Sequence, residues 1–444
     1  MNRRIAAIAA SVIVFSMILP TAVGVAARTH GQTVRKAIPA APKDPFAKLD
    51  KKYRGQTITY FGGSVGSDHD TDVALAASFT KSTGIHVNLD EMTSSSSATL
   101  ATLQNLFNSH SGSIDVTRLD VVWPGIFGKY LVDIKQPLAA DYPLESKGII
   151  KNDTVGGHLV AMPYQGDFGL LYYRKDLLKK YHEKVPTTWT QLTAEAKKIQ
   201  AGEKKTNKAF AGFVFQGNSY EGLTCNALEW IASYGGGGFI TPGGKVTVNN
   251  AKAKAALTLA KSWVGTISPK GVTTYQEGDT HGQFLAGDAA FARNWPYMWS
   301  LQTGTKAQGK IGVAPLPSGP GGKSSATTGG WEIGINKYSS HKGAAEAWAR
   351  YYASKPVEAW RAIYGGIAPT MPSVAAEKSV KKANPALAIA SKTNNVVRPS
   401  TVLGGNYAQG SAYIYQTINS ILTGNTSVSS GLSTLQAELK SLHP

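Results

Sequence analysis

A few polar clusters carry the residue types that chemistry would need. Gly62, Gly63 and Gly66 follow a strand-like run and precede a helix, as a phosphate-cradling loop would, but no Lys follows and the spacing is not GxGxxG. Gly235 to Gly238 reads as a helix stop and loop. His69, Asp70 and Asp72, and likewise Glu277, Asp279 and His281, have metal-ligand types. Neither group has a His pair at i, i+4 or the EF-hand spacing, and both read as solvated surface. Cys225, with Leu223, Ala227 and Leu228 around it, reads as a buried small hydrophobe rather than a nucleophile. As the single cysteine it also excludes a disulfide framework and a CxxC zinc site. No cofactor and no metal are expected.

The sharper signal is aromatic residues set beside glycines and carboxylates in loops. Asn294-Trp295-Pro296-Tyr297-Met298-Trp299 and Gly329-Gly330-Trp331-Glu332 place large flat side chains where the backbone turns. Indole and phenol faces stack on the C–H faces of sugar rings while carboxylates and guanidinium groups bond the hydroxyls, so a saccharide site needs both. Taken singly, each Trp is more often core packing than a ligand contact.

These residues must be positioned by a scaffold, and the chain reads as α/β. Strand-like runs at Thr57–Phe61, Ile85–Leu89 and Asp115–Val122 alternate with helices near Asp68–Lys81 and Ser97–Asn108, a βαβαβ order that implies a parallel sheet flanked by helices. A further helix opens at the capping pair Thr188 and Gln191, with Trp189, Leu192, Ala196 and Ile199 on one face. Helices are also expected at about 343–353, 356–364, 406–422 and 427–442.

Composition sets outer limits. The 444 residues are 42% apolar and 17% charged, and 47 Gly and 21 Pro occur without a triplet period, which excludes collagen-like sequence and wholesale disorder. Of the formal charge of +18, residues 28–54 carry +6, eight Lys and Arg against Asp44 and Asp50, and the rest is scattered. No basic helix interleaved with aromatics follows, so no nucleic-acid partner is expected. Arg3 and Arg4, the apolar run Ile5–Leu19 and the small residues Val25 and Ala27 make residues 1–27 a signal peptide, with an uncleaved anchor as the alternative. With its only cysteine at 225, the chain is not expected to be a lipoprotein.

Several segments together resemble a known family. Met162-Pro163 followed by Gly169-Leu170-Leu171-Tyr172-Tyr173-Arg174-Lys175-Asp176-Leu177-Leu178 is similar to the hinge-crossing segment of family 1 extracellular solute-binding proteins of ABC sugar importers. Thr188-Trp189, Gly212 to Gly217, Tyr220-Glu221-Gly222-Leu223, Arg293 to Tyr297, Gly312 to Pro317 and Gly329-Gly330-Trp331 resemble its trehalose/maltose-binding branch. The resemblance runs from about residue 55 to the C-terminus.

The resemblance implies two α/β lobes, each a mostly parallel sheet flanked by helices, with a hinge crossed three times. Lobe 1 would be 55–163 and 329–367, lobe 2 would be 164–328 and 368–444, and 28–54 would be a basic flexible linker. The crossings would lie near 163–167, 320–328 and 366–371, two of them rich in Gly, Pro or Ser. It makes Asp68, Asp120, Gln165, Asp167, Glu229 and Arg398 polar ligand contacts. Trp295 and Tyr297 become one stacking wall, and Gly330 with Trp331 the other. An Arg that relatives carry on the second helix has no counterpart among Ala98, Thr99 and Leu100, and Gln165 stands where relatives have Tyr.

The implied function is capture of an α-linked disaccharide and its presentation to a membrane permease by an exported, monomeric, periplasmic or membrane-tethered protein that is not an enzyme. The competing class is a glycoside hydrolase using Asp120, Asp167 and Glu229 as acid and base.

Overall fold

Strand β1 (Thr57–Gly62), helix α1 (Asp68–Thr83), strand β2 (His86–Glu91), helix α2 (Ser96–Asn108) and strand β3 (Val116–Asp120) follow the expected alternation, and β1 pairs in parallel with both β2 and β3. Burial explains the order: every residue of β3 is buried, and α1 packs Leu75, Ala76 and Phe79 inward. The computed structural model describes residues 38–442. The expected signal segment and residues 28–37 lie outside the described residues.

Strand β4 (Met162–Phe168) leads into a second sheet that contains β5 (Leu170–Arg174), β6 (Ala211–Val214), β7 (Ala289–Asn294) and β8 (Ile311–Ala314) in the order β8-β5-β7-β6. Helices α3 (Trp189–Glu203), α4 (Glu221–Ser233), α5 (Ala251–Trp263) and α6 (Glu277–Leu285) belong to this half. The Thr188 and Gln191 capping box opens α3, and its buried face is Trp189, Leu192, Ala196 and Ile199. An aromatic core of Trp189, Phe213, Phe215, Trp230 and Trp263 fills the space beneath.

The long strand β9 (Ser325–Ile335) returns to the first sheet, antiparallel to both β3 and β4. Helices α7 (Lys342–Tyr352) and α8 (Lys355–Tyr364) complete that lobe, where Trp348, Tyr351 and Tyr352 pack on Tyr60 and Phe79. Strand β10 (Asn394–Val396) pairs in parallel with the start of β9. Helices α9 (Tyr407–Thr423) and α10 (Val428–Leu442) then pack on one another, and α9 on α4.

Two lobes therefore face each other. Their pairing differs in kind from a mostly parallel sheet in the second lobe, where only β6 with β7 is parallel and β5 runs antiparallel to β7 and β8. The chain passes from one sheet to the other at this point: β4 pairs with β9 in the first sheet, and β5, one glycine later, pairs with β7 and β8 in the second. The segments expected to cross between lobes lie side by side, with Thr328 opposite Phe168 and Gly166 N donating to Ala368 O at 2.8 Å.

The basic stretch needs a correction. From Ile38 to Arg54 it is docked on lobe 1 rather than free: Pro42 O accepts from Ser78 Oγ and Tyr351 OH, both at 2.7 Å, and fully buried Asp50 is ion-paired with Arg350. Its buried Asp50 finds a partner on α7, which composition alone does not reveal.

Candidate functional site

Strand ends and helix starts deliver the polar side chains to one cleft. Asp120 ends β3, Asp68 begins α1, Glu221 begins α4 and Glu277 begins α6. Gln165 and Asp167 share one face of β4 by the period of two. Trp295 follows β7, Tyr297 lies in the 3-10 turn Pro296–Gln302, and Gly330 and Trp331 are mid-strand in β9. With Arg398 and Arg118 they line one recess holding about 770 Å³ of space, its mouth included.

The geometry is charged and closely bonded. Arg398 grips Asp120 in a fork, Nη2 to Oδ1 at 2.7 Å and Nη1 to Oδ2 at 3.2 Å, and its Nη1 also reaches Glu221 Oε1 at 2.8 Å. Tyr407 OH and Ser411 Oγ, the latter at 2.7 Å, donate to the same Glu221 carboxylate. On the other side Arg118 is ion-paired with Asp68 and donates to Gln165 Oε1 at 3.2 Å, while Gln165 Nε2 donates to Asp167 Oδ2 at 2.8 Å. Burial pushes the Asp167 carboxyl up to about 7 against the lowering effect of Gln165.

The first glycine loop is explained by these bonds rather than by phosphate. A Cβ on Gly63 would stand 1.8 Å from Arg118 Nη1 and 2.6 Å from Asp68 Oδ2, so only glycine lets the guanidinium reach its partner.

Two indoles line the recess. The Arg118 guanidinium lies 3.9 Å from the Trp331 ring centre, and that of Arg293 lies 3.7 Å from the Trp295 ring centre. Trp123 meets Trp331 edge-on, with centres 5.9 Å apart. Tyr297 is buried, bonded through its OH to His281 Nδ1 at 3.1 Å.

Nine of the ten residues expected in the site line this recess. Glu229 does not, and its expected ligand contact is corrected here: it is 1% exposed and bonded to Arg293 and to Thr327 N, behind the recess. A carboxylate on a fully buried helix turn finds its guanidinium inside the lobe before it can find a ligand.

The sequence reading missed Arg118, Glu221, Glu277 and Ser64. Arg118 had a signal, a lone cation two residues before Asp120 in the strand Val116–Asp120, hence on the same face. It is the guanidinium that pairs with Asp68. Glu277, which the sequence offers only as a metal-ligand type, accepts from Tyr220 OH at 2.6 Å and Trp295 Nε1 at 3.2 Å. In the other acidic group Asp72 is buried and accepts from Tyr352 OH at 2.6 Å. Among the described residues no three His, Cys, Asp or Glu side chains are grouped as metal ligands. Cys225 lines the recess, its thiol pushed up by burial and so a poor nucleophile.

The chain has recognisable relatives. The profile of the family described as bacterial extracellular solute-binding protein matches residues 63–359. A probable ABC transporter-binding protein of Deinococcus radiodurans is 43% identical over 389 residues, covering 86% of this chain and 93% of its own length. The maltodextrin-binding protein MdxE of Bacillus subtilis is 30% identical over 213 residues, 45% of this chain and 47% of that one. Among solved structures, maltose-bound MalE3 of T. maritima superposes with a TM-score of 0.83 at 36% identity, covering 87% of this chain and all of that chain (100%).

Proposed function

The chain belongs to the bacterial extracellular solute-binding proteins, and from that premise we propose that its cleft captures an α-linked disaccharide of the maltose or trehalose type for the permease of an ABC importer. One observation carries the sugar reading: buried polar atoms without a partner sit beside two indoles. Ser64 Oγ, Asp167 Oδ1, Arg118 Nε and Arg398 Nε are all buried and unbonded. They offer acceptors and donors together, which hydroxyl groups, being both, can satisfy. Leaving such atoms unpaired costs roughly 1–3 kcal/mol each, so a polyhydroxyl ligand gains by entering. The relatives that bind maltose and maltodextrin support the choice of sugar.

Binding without turnover is part of the proposal. A glycosidase needs one protonated and one free carboxyl group across the bond. Asp167, with its Oδ1 unbonded and its carboxyl raised to about 7, has the character of the acid, but Asp120 is tied to Arg398 and Glu229 is outside the recess, so the trio supplies no free second carboxylate. The protein acts as an exported monomer, and closure of the lobes on the sugar is what the permease reads.

Calorimetric titration with maltose, trehalose and sucrose, followed by assay of the mixture for free glucose, tests both halves. Saturable binding of at least one disaccharide with no glucose released is expected. Release of glucose would establish the hydrolase, and no binding heat with any of the three sugars would overturn the disaccharide reading.

A further inference from the structure

Glu229, displaced from the ligand list, has a different part to play. We propose that Arg293, held by Glu229, is a positioning residue that fixes the plane of the Trp295 indole for ligand stacking and ties it to β9. The proposal rests on the sugar reading above.

The bonds form a chain. Arg293 and Glu229 are each 1% exposed, with Nε donating to Glu229 Oε2 at 2.9 Å and Nη2 to Oε1. Nη1 donates to Gln216 Oε1 at 3.2 Å, and Gln216 Nε2 returns to Arg293 O at 3.0 Å. The guanidinium so clamped lies 3.7 Å from the Trp295 ring centre. A Cβ on Gly169 would come within 2.0 Å of Glu229 Oε1, so the connection between β4 and β5 has been kept clear for this pair.

The indole is held at other points too. Its Nε1 donates to Glu277 Oε1 at 3.2 Å, and a Cβ on Gly329 would meet the ring tip at 3.3 Å. The same Glu229 Oε1 accepts from Thr327 N at 3.2 Å, so the clamp also bonds β9 four residues before Trp331. Stacking depends on ring plane, and a ring already immobile loses little entropy when a sugar lands on it. A pair that served only to neutralise buried charge would not need to lie against the indole.

The test is a double-mutant cycle read with maltose. Arg293→Lys keeps the charge but loses the planar, forked contact. It should weaken maltose about ten- to thirtyfold, the scale of a desolvated cation–π contact. On a Trp295→Ala background the same change should cost less than about twofold, since its route to the ligand has gone. Equal losses on both backgrounds would overturn the proposal.

The paired replacement Glu229→Gln with Arg293→Met guards against misfolding, because swapping both charges for neutral groups of similar volume is tolerated far better than orphaning one. Its near-ultraviolet circular dichroism, compared with and without Trp295→Phe, reports ring order without any sugar. The Trp295 band should be present in the parent and collapse in the paired variant. A band unchanged by the pair would overturn the positioning role. If no disaccharide binds the parent, the sugar reading falls and the dichroism arm decides the positioning role by itself.

Discussion

Asp167 is the residue on which ligand chemistry should be most visible. Its Oδ2 is bonded by Gln165, its Oδ1 is free, and burial holds the carboxyl at about 7. A sugar hydroxyl donating to Oδ1 favours the ionised form, so the pKa must fall on binding and affinity must rise as pH passes upward through about 7. Titrations between pH 5.5 and 8.5 should show that rise, and Asp167→Asn should flatten it. A flat profile in the parent would remove Asp167 from the ligand contacts. Truncation of Arg398 to Ala has a separate consequence: it strands Asp120 and Glu221 in the recess and should cost binding roughly 1–3 kcal/mol or more.

The serine run before α2 is an element-scale device. Ser95 caps its own helix, accepting from Ala98 N at 3.4 Å. Its neighbours instead cross the cleft: Ser97 Oγ accepts from Glu221 N at 3.0 Å at the start of α4, and Ser94 Oγ donates to Gln276 Oε1 at 3.2 Å just before α6. If the lobes part as the ligand leaves, these bonds break with them, so removing them should speed ligand escape. Ser97→Ala should raise the maltose dissociation rate about two- to tenfold in stopped-flow fluorescence. Ser95→Ala should leave that rate alone and lower stability by about 1 kcal/mol, as cap removal does. Equal effects of the two substitutions would show that the run acts only as a helix cap.

For the whole molecule, stability should fall on the alkaline side. Glu145, bridged to Glu358 through Thr370 Oγ1, is raised by burial and by Glu358 to about 9, and Glu358 and Asp153 to about 7. Asp141 and Glu332, raised by the same burial, share the region, and Arg361 opposes the shift of Glu358. A folded state that keeps protons which the unfolded chain releases near 4.5 loses stability as pH rises from there through 7 to 9. Each pH unit costs about 1.4 kcal/mol per such group. The melting temperature should therefore be higher at pH 5.5 than at pH 8.5, and the reverse order would refute the buried-proton account. The docked amino-terminal stretch adds a second test at this scale: Asp50→Ala leaves Arg350 buried without its partner and should cost about 3–5 kcal/mol in denaturant unfolding.

Local pattern determined a good deal of this. Helix ends such as the Thr188 and Gln191 box, the βαβαβ order up to Asp120 and the aromatic loops at Trp295 and Trp331 are written in spacings of two to four residues, which a linear reading can follow. The same holds for the motif segments by which the family was recognised. What only the tertiary structure decided is which charges meet. Asp120 and Arg398 are 278 residues apart, and Asp68 and Arg118 are 50 apart. Glu229 lies 64 residues from the arginine that draws it out of the cleft. Asp50 lies 300 from the one that anchors a stretch which composition alone leaves free. A charge's partner is set by where strands and helices end in space, and burial makes that pairing obligatory, because a lone charge inside the lobe costs far more than any local preference can return.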